Sequence, residues 1–350
     1  MRFVFVNWAH ETHGSAQDLH NYSRVARTLG HDVVLYGPAN PASAFNYSME
    51  IRDDDALVFI FEFTTNLEQS ERLSFLRMLS RVPRHRRIVI DCDGKYNDAL
   101  NVVGDVNHPD AASSRRWIDV CDSLADRIYQ PTYRPLRSNV RPFFFHAYNP
   151  TWEVPIECRD KRFGMVYVGN NWFRWRALRR VLEAVEPIRP EVGRIGLVGH
   201  GWDGEQSWGG PMATGDAYYT DLPYLRKMGV DILPPVRFDR VVPCMGEGVF
   251  SPVIYRPLFD HLRLVTCRTF ETPAANTIPL FAQEVSFVTE IYGPDAAELV
   301  LPERDPQDKV LDVLARPDYF GGIVSRIRRH LAATYSYEAR IHELVDLMRN

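Results

Sequence analysis

Short apolar runs alternate with stretches of helical spacing through the first 130 residues. The chain opens with the run RFVFV (residues 2–6), and after a polar loop a helical spacing extends from Ala16 to Leu29. Within that stretch apolar positions recur every three or four residues, and Gly30 follows where a left-handed C-cap belongs. A second apolar run, DVVLYG, comes next. The pattern predicts a β-α-β unit at the start of the chain.

Three more apolar runs follow in the first half of the chain. They are ALVFIF (56–61), RIVIDC (87–92) and DRIYQ (126–130), each separated from the next by enough residues for a crossover helix. Nearly all-apolar strands of this length are typical of parallel sheets covered on both faces. Residues 1–150 are therefore predicted to form a Rossmann-like, doubly wound domain.

The same rhythm restarts after a polar stretch that is predicted to be the linker. GMVYVG (164–169), the helical stretch ALRRVLEAV (177–185) and RIGLVGHG (194–201) predict a second doubly wound domain. Residues 202–223 are rich in Gly, Asp and aromatic side chains and are predicted to be a long surface loop.

Two amphipathic helical patterns close the sequence, YFGGIVSRIRRHLAA (319–333) and TYSYEARIHELVDLMRN (334–350). We predict that the final helix packs back across the linker. The predicted division is an acceptor domain at 1–150, a donor domain at 151–335 and a crossover helix at 336–350.

Composition narrows the class of protein. The chain has 350 residues, a formal net charge of -4 and no long run of one charge. Nothing in this balance indicates a nucleic acid or an anionic membrane as partner. The five cysteines lack a CxxC or Cys/His spacing, and no stretch is apolar enough for a membrane span. We expect a cytoplasmic protein with no nucleic acid partner.

The segment CRTFETPAANTIPLFAQE (267–284) is the most informative stretch for chemistry. Its pattern predicts a loop carrying Arg268 and Glu271, a helical turn of small residues, and a strand IPLFA. Backbone N–H groups at such a turn can approach a phosphate, and a carboxylate beside it can accept hydrogen bonds from two ribose hydroxyls. The same residues could equally form a helix cap and a surface ion pair.

That segment resembles the R-x-F-E-x-x-A-x-G-x-x-x-L block of the CgeB-like spore-maturation glycosyltransferases, relatives of the family 4 retaining GT-B enzymes. MVYVGNNWFRWRALRRVLEAV (165–185) and HLAATYSYEARIHELVDLM (330–348) resemble other parts of the same family's C-terminal domain. The resemblance implies a GT-B fold, with two Rossmann-like domains facing a cleft. It also implies transfer from a nucleotide diphosphate sugar with retention, with no metal and no cofactor.

The resemblance assigns the donor site residue by residue. Glu271 would hold the donor ribose, and the backbone at Pro273 and Ala274 would face the diphosphate. Arg176 falls where relatives carry a basic residue for the phosphates, a role that suits a guanidinium. The remaining donor-site candidates are the motif neighbours and the strand-end residues of the second domain: Arg268, Thr269, Phe270, Gly169, Asn170 and His200.

Three positions depart from the family pattern. The glutamate that relatives carry eight positions before the ribose-binding one is Arg263 here, and the basic residue after the strand-end glycine is Asn170. The small glycine after the alanines is Asn276, which tolerates a left-handed conformation.

Two loops of the first domain are candidates for the catalytic half of the site. His13 and Gly14 follow the first strand at the carboxyl edge of the sheet, where open α/β folds bind ligands. His13 could contact the acceptor or a phosphate, and Gly14 could present its N–H at the next helix N-terminus. Asp91 and Asp93 imitate the DxD motif of the unrelated GT-A enzymes. They could orient or deprotonate an acceptor, or simply end a strand.

The predicted function is therefore glycosyl transfer from a nucleotide diphosphate sugar to an acceptor left open among glycan, protein and small molecule. Two alternatives remain at this point. A nucleotide-sugar epimerase or hydrolase would need acid/base carboxylates, which Glu11, Asp91, Asp93 or Glu247 could supply. A non-catalytic sugar-nucleotide-binding module is suggested by the missing glutamate at Arg263.

Overall fold

The computed structural model describes residues 1–7, 15–38, 43–60, 81–97, 111–204 and 217–349. In these ranges twelve strands form two separate sheets, and every pairing between neighbouring strands is parallel. The first sheet has the order β3-β2-β1-β4-β5-β6-β7 and the second the order β10-β9-β8-β11-β12. The predicted α/β class with two doubly wound halves is confirmed.

The strands of the first sheet are β1 (Arg2–Val6), β2 (Asp32–Tyr36), β3 (Tyr47–Ser48), β4 (Ala56–Ile60), β5 (Arg87–Ile90), β6 (Ile128–Gln130) and β7 (Val140–Pro142). Those of the second sheet are β8 (Phe163–Val168), β9 (Ile195–Val198), β10 (Val230–Leu233), β11 (Gly248–Val253) and β12 (Ile278–Phe281). The predicted linker at 151–162 falls between the two sheets.

The helices described in the first domain are α1 (Ala16–Thr28) and α2 (Ala111–Leu124). The second domain and the tail contain α3 (Trp175–Val185), α4 (Arg189–Val192), α5 (Leu222–Lys227), α6 (Val241–Met245), α7 (Pro257–Leu262), α8 (Cys267–Ala274), α9 (Val285–Tyr292), α10 (Pro306–Ala315), α11 (Pro317–Thr334) and α12 (Tyr337–Arg349). Gly30 adopts φ +73° after α1, as its position in the sequence predicts.

The first sheet is covered by helices on both faces. Alternate residues of β1 enter opposite layers: Phe3 and Phe5 pack with α1 and α12, whereas Val4 packs on the side of α2. Strand β4 is buried along its whole length. A strand between two apolar layers has no solvated face, which is why ALVFI contains no polar residue.

The C-terminal helix crosses back onto the first domain, as predicted. Five side chains of α12 are buried in the first domain's core: Tyr337, Ile341, Leu344, Val345 and Met348. Each apolar side chain of this size contributes about 1.5–3 kcal/mol when it is fully buried. Tyr148 lies just before the linker, and its N–H donates to Tyr335 O at 2.8 Å where the chain crosses back. The tail is therefore part of the first domain's core.

Candidate donor-binding site and interdomain cleft

Helix α8 carries the Arg268–Glu271 motif, and it begins earlier than the sequence predicts. Thr266 is its N-cap in a reciprocal capping box, in which Thr269 Oγ1 accepts from Thr266 N at 3.1 Å. Arg268 and Glu271 therefore lie inside the helix. The predicted loop at this position is wrong, because the capping box starts the helix at Cys267.

Pro273 and Ala274 consequently lie in the last turn of α8 instead of at its N-terminus. Their carbonyl oxygens accept from the buried guanidinium of Arg328, at 2.7 and 3.1 Å. Proline also has no N–H to offer. An anion that approaches the N-terminus of this helix would meet the turn at 266–269, so this geometry does not favour the predicted contact of Pro273 and Ala274 with a diphosphate, which stays a prediction.

Arg268 joins Glu271 to the end of a strand. Its Nε donates to Val168 O at 2.7 Å, and its Nη1 contacts Glu271 Oε2. Glu271 is only 2% exposed. Within the described chain, Glu271 Oε1 makes no hydrogen bond. The pair thus places one unused carboxylate oxygen beside the carboxyl end of β8.

The other two motif residues support the helix. The Thr269 hydroxyl completes the capping box and also hydrogen-bonds the hydroxyl of Tyr255. Phe270 is fully buried and packs against Tyr335, with ring centroids 5.4 Å apart. Both side chains fix Glu271 in place, and their predicted donor contacts stay predictions.

The strand-end candidates of the second domain lie together. Gly169 N donates to Val198 O at 2.8 Å, which aligns the ends of β8 and β9. Asn170 Oδ1 accepts from His200 N at 3.0 Å. Gly169, Asn170, His200 and Arg268 therefore share one edge of the sheet, where open α/β folds bind ligands.

A neighbouring arginine was not identified from the sequence. Arg174 is the N-cap residue of α3, and its Nη1 donates to Asn170 O at 2.9 Å. The predicted phosphate ligand, Arg176, is exposed in the first turn of α3. Arg263 pairs with Glu284 and Ser286 instead of lying free at the strand ends. The local signal for Arg174 was its position directly before the helix.

The carboxylates of the first domain have separate structural roles. Asp91 is fully buried and accepts from Lys95 N, Tyr96 N and Gln130 Nε2 at 2.7–3.0 Å. Burial raises its pKa, and those hydrogen bonds act against the rise. With its oxygens held by three donors, Asp91 ends the strand and shapes the following loop.

Asp93 forms part of the contact between the two domains. Its carboxylate lies 3.4 Å from Lys95 Nζ and accepts from Arg256 Nη2 at 3.2 Å. Burial alone would raise its pKa, but these two cations outweigh burial and lower it. Next to it, Gly94 has φ +74°, and a Cβ there would lie 2.4 Å from a Leu262 methyl. This loop therefore joins the two domains through the Asp93–Arg256 ion pair.

The remaining candidates are placed as follows. His13, Gly14 and Glu11 lie outside the described residues. Glu247 precedes β11, at the amino edge of the second sheet, and pairs with Arg162 on the surface. In the described ranges, no group of three or more His, Cys, Asp or Glu side chains could hold a metal. Of the helices described, none is both long and apolar enough to cross a membrane.

No protein-family model and no curated protein matches the sequence. Solved structures do match. An α-glucosyltransferase in complex with UDP and a 13-mer DNA containing a central A:G mismatch is 13% identical, with 100% of this chain and 99% of that chain covered and a TM-score of 0.69. T4 phage BGT in complex with UDP-glucose is 12% identical, covering 99% and 97%, with a TM-score of 0.57.

A third structure, an α-glucosyltransferase with UDP and a 13-mer DNA containing a HMU base, is 11% identical with a TM-score of 0.64, and 100% and 99% of the two chains are covered. The expectation that no nucleic acid is involved is corrected by these complexes, because structures similar to this chain over its whole length contain bound DNA. A net charge of -4 averages over the whole surface and does not exclude a local basic face. Similarity over the full chain establishes that this protein has the GT-B glycosyltransferase fold.

Proposed function

We propose that this protein is a glycosyltransferase that uses a nucleotide diphosphate sugar, with UDP-glucose as the first donor to test. The observation that carries the proposal is the Arg268–Glu271 pair anchored on Val168 at the carboxyl edge of the second sheet, in which Glu271 Oε1 has no hydrogen-bond partner among the residues that the structure describes. Structures similar over the whole chain were solved with UDP and with UDP-glucose.

In this proposal Glu271 accepts hydrogen bonds from the donor ribose. Arg268, Arg174 and the N-terminal turn of α8 neutralise the charge that develops on the leaving diphosphate. The CgeB-like, family 4 resemblance of the motif supports the same role for Glu271. A metal is not required when cations and helix dipoles supply this charge. Retention is proposed from that resemblance alone, since fold neighbours include both an α- and a β-glucosyltransferase.

For the acceptor we propose a nucleic acid, with hydroxyl-bearing DNA as the first class to test. Two structural neighbours were solved with 13-mer DNA, one containing a HMU base. If double-stranded DNA is the acceptor, cationic side chains must pair with its phosphates, so its affinity should fall as the salt concentration rises.

The experiment has two stages. Isothermal titration measures binding of UDP-glucose and of other nucleotide sugars to the wild type and to Glu271→Gln, with Glu183→Gln as the matched control from an exposed Arg–Glu pair of α3. Labelled transfer to DNA containing a HMU base is then compared with unmodified DNA. We expect binding that only Glu271→Gln loses, and label on the modified DNA.

Each other result has a defined meaning. Failure of every nucleotide sugar to bind would overturn the proposed function. Binding of another donor would replace UDP-glucose, and label on a glycan or protein would replace DNA as acceptor. Donor consumption without any acceptor would favour the hydrolase alternative.

A further inference from the structure

A buried histidine and aspartate form a hydrogen-bonded pair in the first domain. His146 follows β7 by four residues and is 8% exposed. Its Nδ1 lies 2.8 Å from Asp18 Oδ2, and Asp18, in the first turn of α1, is 2% exposed. The two residues are 128 positions apart, so the pair exists only in the folded chain.

The surroundings of Asp18 fix the tautomer of His146. Tyr337 of the C-terminal helix donates its hydroxyl to Asp18 Oδ1 at 2.7 Å. The pKa of Tyr337 lies well above its usual range, mainly because the side chain is buried and secondly because the charge of Asp18 is close. The hydroxyl therefore keeps its proton and remains a donor. The carboxylate oxygens of Asp18 accept, so Nδ1 of His146 is the donor within the pair. Nε2 is then the ring nitrogen left to exchange a proton, and it makes no hydrogen bond within the described chain.

The pair lies at the cleft. Asp18 is in the first turn of the helix after β1, His146 follows β7, and Asp93 follows β5, so all three stand at the carboxyl edge of the first sheet. Asp93 in turn contacts Arg256 of the second domain. The residue before the N-cap of α8 also touches this edge, since Val265 N donates to Pro131 O at 2.8 Å. His146 and the start of helix α8 therefore both lie beside the contact between the two domains.

We propose that His146 is the base that accepts the proton of the acceptor hydroxyl, and that Asp18 and Tyr337 are positioning residues. The proposal rests on the proposed transferase function. In the step, the acceptor oxygen bonds to the anomeric carbon on the face from which the diphosphate departs, as retention requires, and the acceptor O–H proton moves to Nε2. The bond from that carbon to the diphosphate breaks, and the electron pair leaves with the diphosphate. The imidazolium then loses its proton to solvent.

The test uses the full chain and separates binding from chemistry. His146→Gln retains an amide N–H for Asp18 but supplies no base, and His146→Ala leaves space for added imidazole. We expect transfer to fall about 100-fold or more in both, the usual range for loss of general base catalysis. Donor affinity should stay within about twofold, and imidazole should restore part of the activity of His146→Ala, which a purely structural role would not allow.

Tyr337→Phe tests the positioning through Asp18 and has a matched control. Tyr22→Phe removes another buried hydroxyl in the same aromatic cluster, one that donates to Phe145 O at 2.9 Å instead of to Asp18. We expect kcat to fall about tenfold in Tyr337→Phe with KM for the donor unchanged, and less than twofold in Tyr22→Phe.

The outcomes distinguish this inference from the proposed function. A wild type that binds no nucleotide sugar overturns the function itself. Wild-type transfer that His146→Gln retains within threefold overturns only the role of His146. Loss of donor binding together with transfer, without imidazole rescue, assigns His146 to structure and also overturns the inference. If both His146 variants fail to fold, equal kcat values for Tyr337→Phe and Tyr22→Phe overturn it.

Discussion

Helix α8 and the loop after β5 use the same chemistry, a carboxylate paired with arginine, in two different ways. In α8 the partners Arg268 and Glu271 are three residues apart in one helix. In the loop, Asp93 pairs with Arg256, which lies 163 positions later in the other domain. The first pair can be read from a short motif, and within the described residues it leaves Glu271 Oε1 without a hydrogen bond. The second imitates a metal motif but joins the two domains.

The loop itself contains a second contrast. Asp91 and Asp93 are separated by one residue, yet their pKa values shift in opposite directions. Burial dominates at Asp91 and raises its pKa, whereas Lys95 and Arg256 overcome burial at Asp93 and lower it. Spacing in the sequence therefore says little about which carboxylate is available for chemistry, because the surrounding charges decide it.

The largest effect is expected at Glu271. Glu271→Ala should weaken donor binding by at least about 100-fold, or about 2.7 kcal/mol, because ribose hydroxyls lose a charged acceptor. It should also lower the free energy of unfolding by about 3 kcal/mol, since Arg268 keeps a largely buried charge without its partner. Titration calorimetry and urea denaturation measure the two effects separately.

Glu271→Gln separates the effect of the negative charge from the effect of losing the side chain. It preserves the shape and can still accept from Arg268, so it should lose donor affinity with a smaller loss of stability. Undiminished donor affinity in both variants would show that α8 is as purely structural as the loop after β5.

Asp91→Asn should have the next largest effect, on stability alone. An amide cannot accept from all three donors, so a buried N–H group loses its partner at a cost of about 2–3 kcal/mol. The folded-state pKa of Asp91 is raised, so the stability it contributes falls as pH rises from about 4 toward that raised pKa. The difference between wild type and variant, measured by urea denaturation, should therefore shrink as pH increases. Unchanged stability with lost transfer would instead make Asp91 catalytic.

Much of the fold follows from local patterns in the sequence. Strands β1, β4, β5, β8 and β12 are short apolar runs because they lie between two helical layers. Strand β11 was missed although it is an internal strand of its sheet, paired with β8 and β12. Its sequence GVFSPV contains Gly248 and Pro252, residues that weaken a strand signal. Tertiary packing against β8 and β12 overrides that local preference.

The site was less predictable, for reasons that particular residues show. The start of α8 was missed because Thr269 occupies the position where a capping box normally has Glu or Gln. The Asp18–His146 pair and the Asp93–Arg256 contact join residues more than 120 positions apart. No local spacing encodes such pairs, and a motif such as DxD gains its meaning only from the partner that the fold supplies.

A smaller effect is expected from the interdomain pair. A double-mutant cycle with Asp93→Asn and Arg256→Gln should give a coupling energy of about 1–2 kcal/mol, because the arginine is buried and the carboxylate only partly exposed. The exposed pair of Arg194 and Asp231 is the control, with coupling below about 0.5 kcal/mol.

The same variants test the contrast within the loop. The folded-state pKa of Asp93 is lowered, so its stabilisation is present above the unfolded value of about 3.9 and is lost as pH falls. The difference between wild type and Asp93→Asn should shrink toward low pH, opposite to Asp91→Asn. Difference curves that slope the same way would contradict the assigned causes of the two shifts.

The smallest effect distinguishes two arginines of the second domain. Arg174 contacts the backbone of Asn170 and places its charge at the positive end of α3, an arrangement that a bound anion would stabilise. We therefore expect Arg174→Ala to weaken binding of UDP about five- to tenfold and Arg176→Ala no more than about threefold. Titration with UDP measures both, and Arg180→Ala, on the same helix, is the control that should match wild type. A tenfold loss in Arg176→Ala alone would favour the family-based assignment, and it would mean that the phosphates lie along α3 and not at the strand ends.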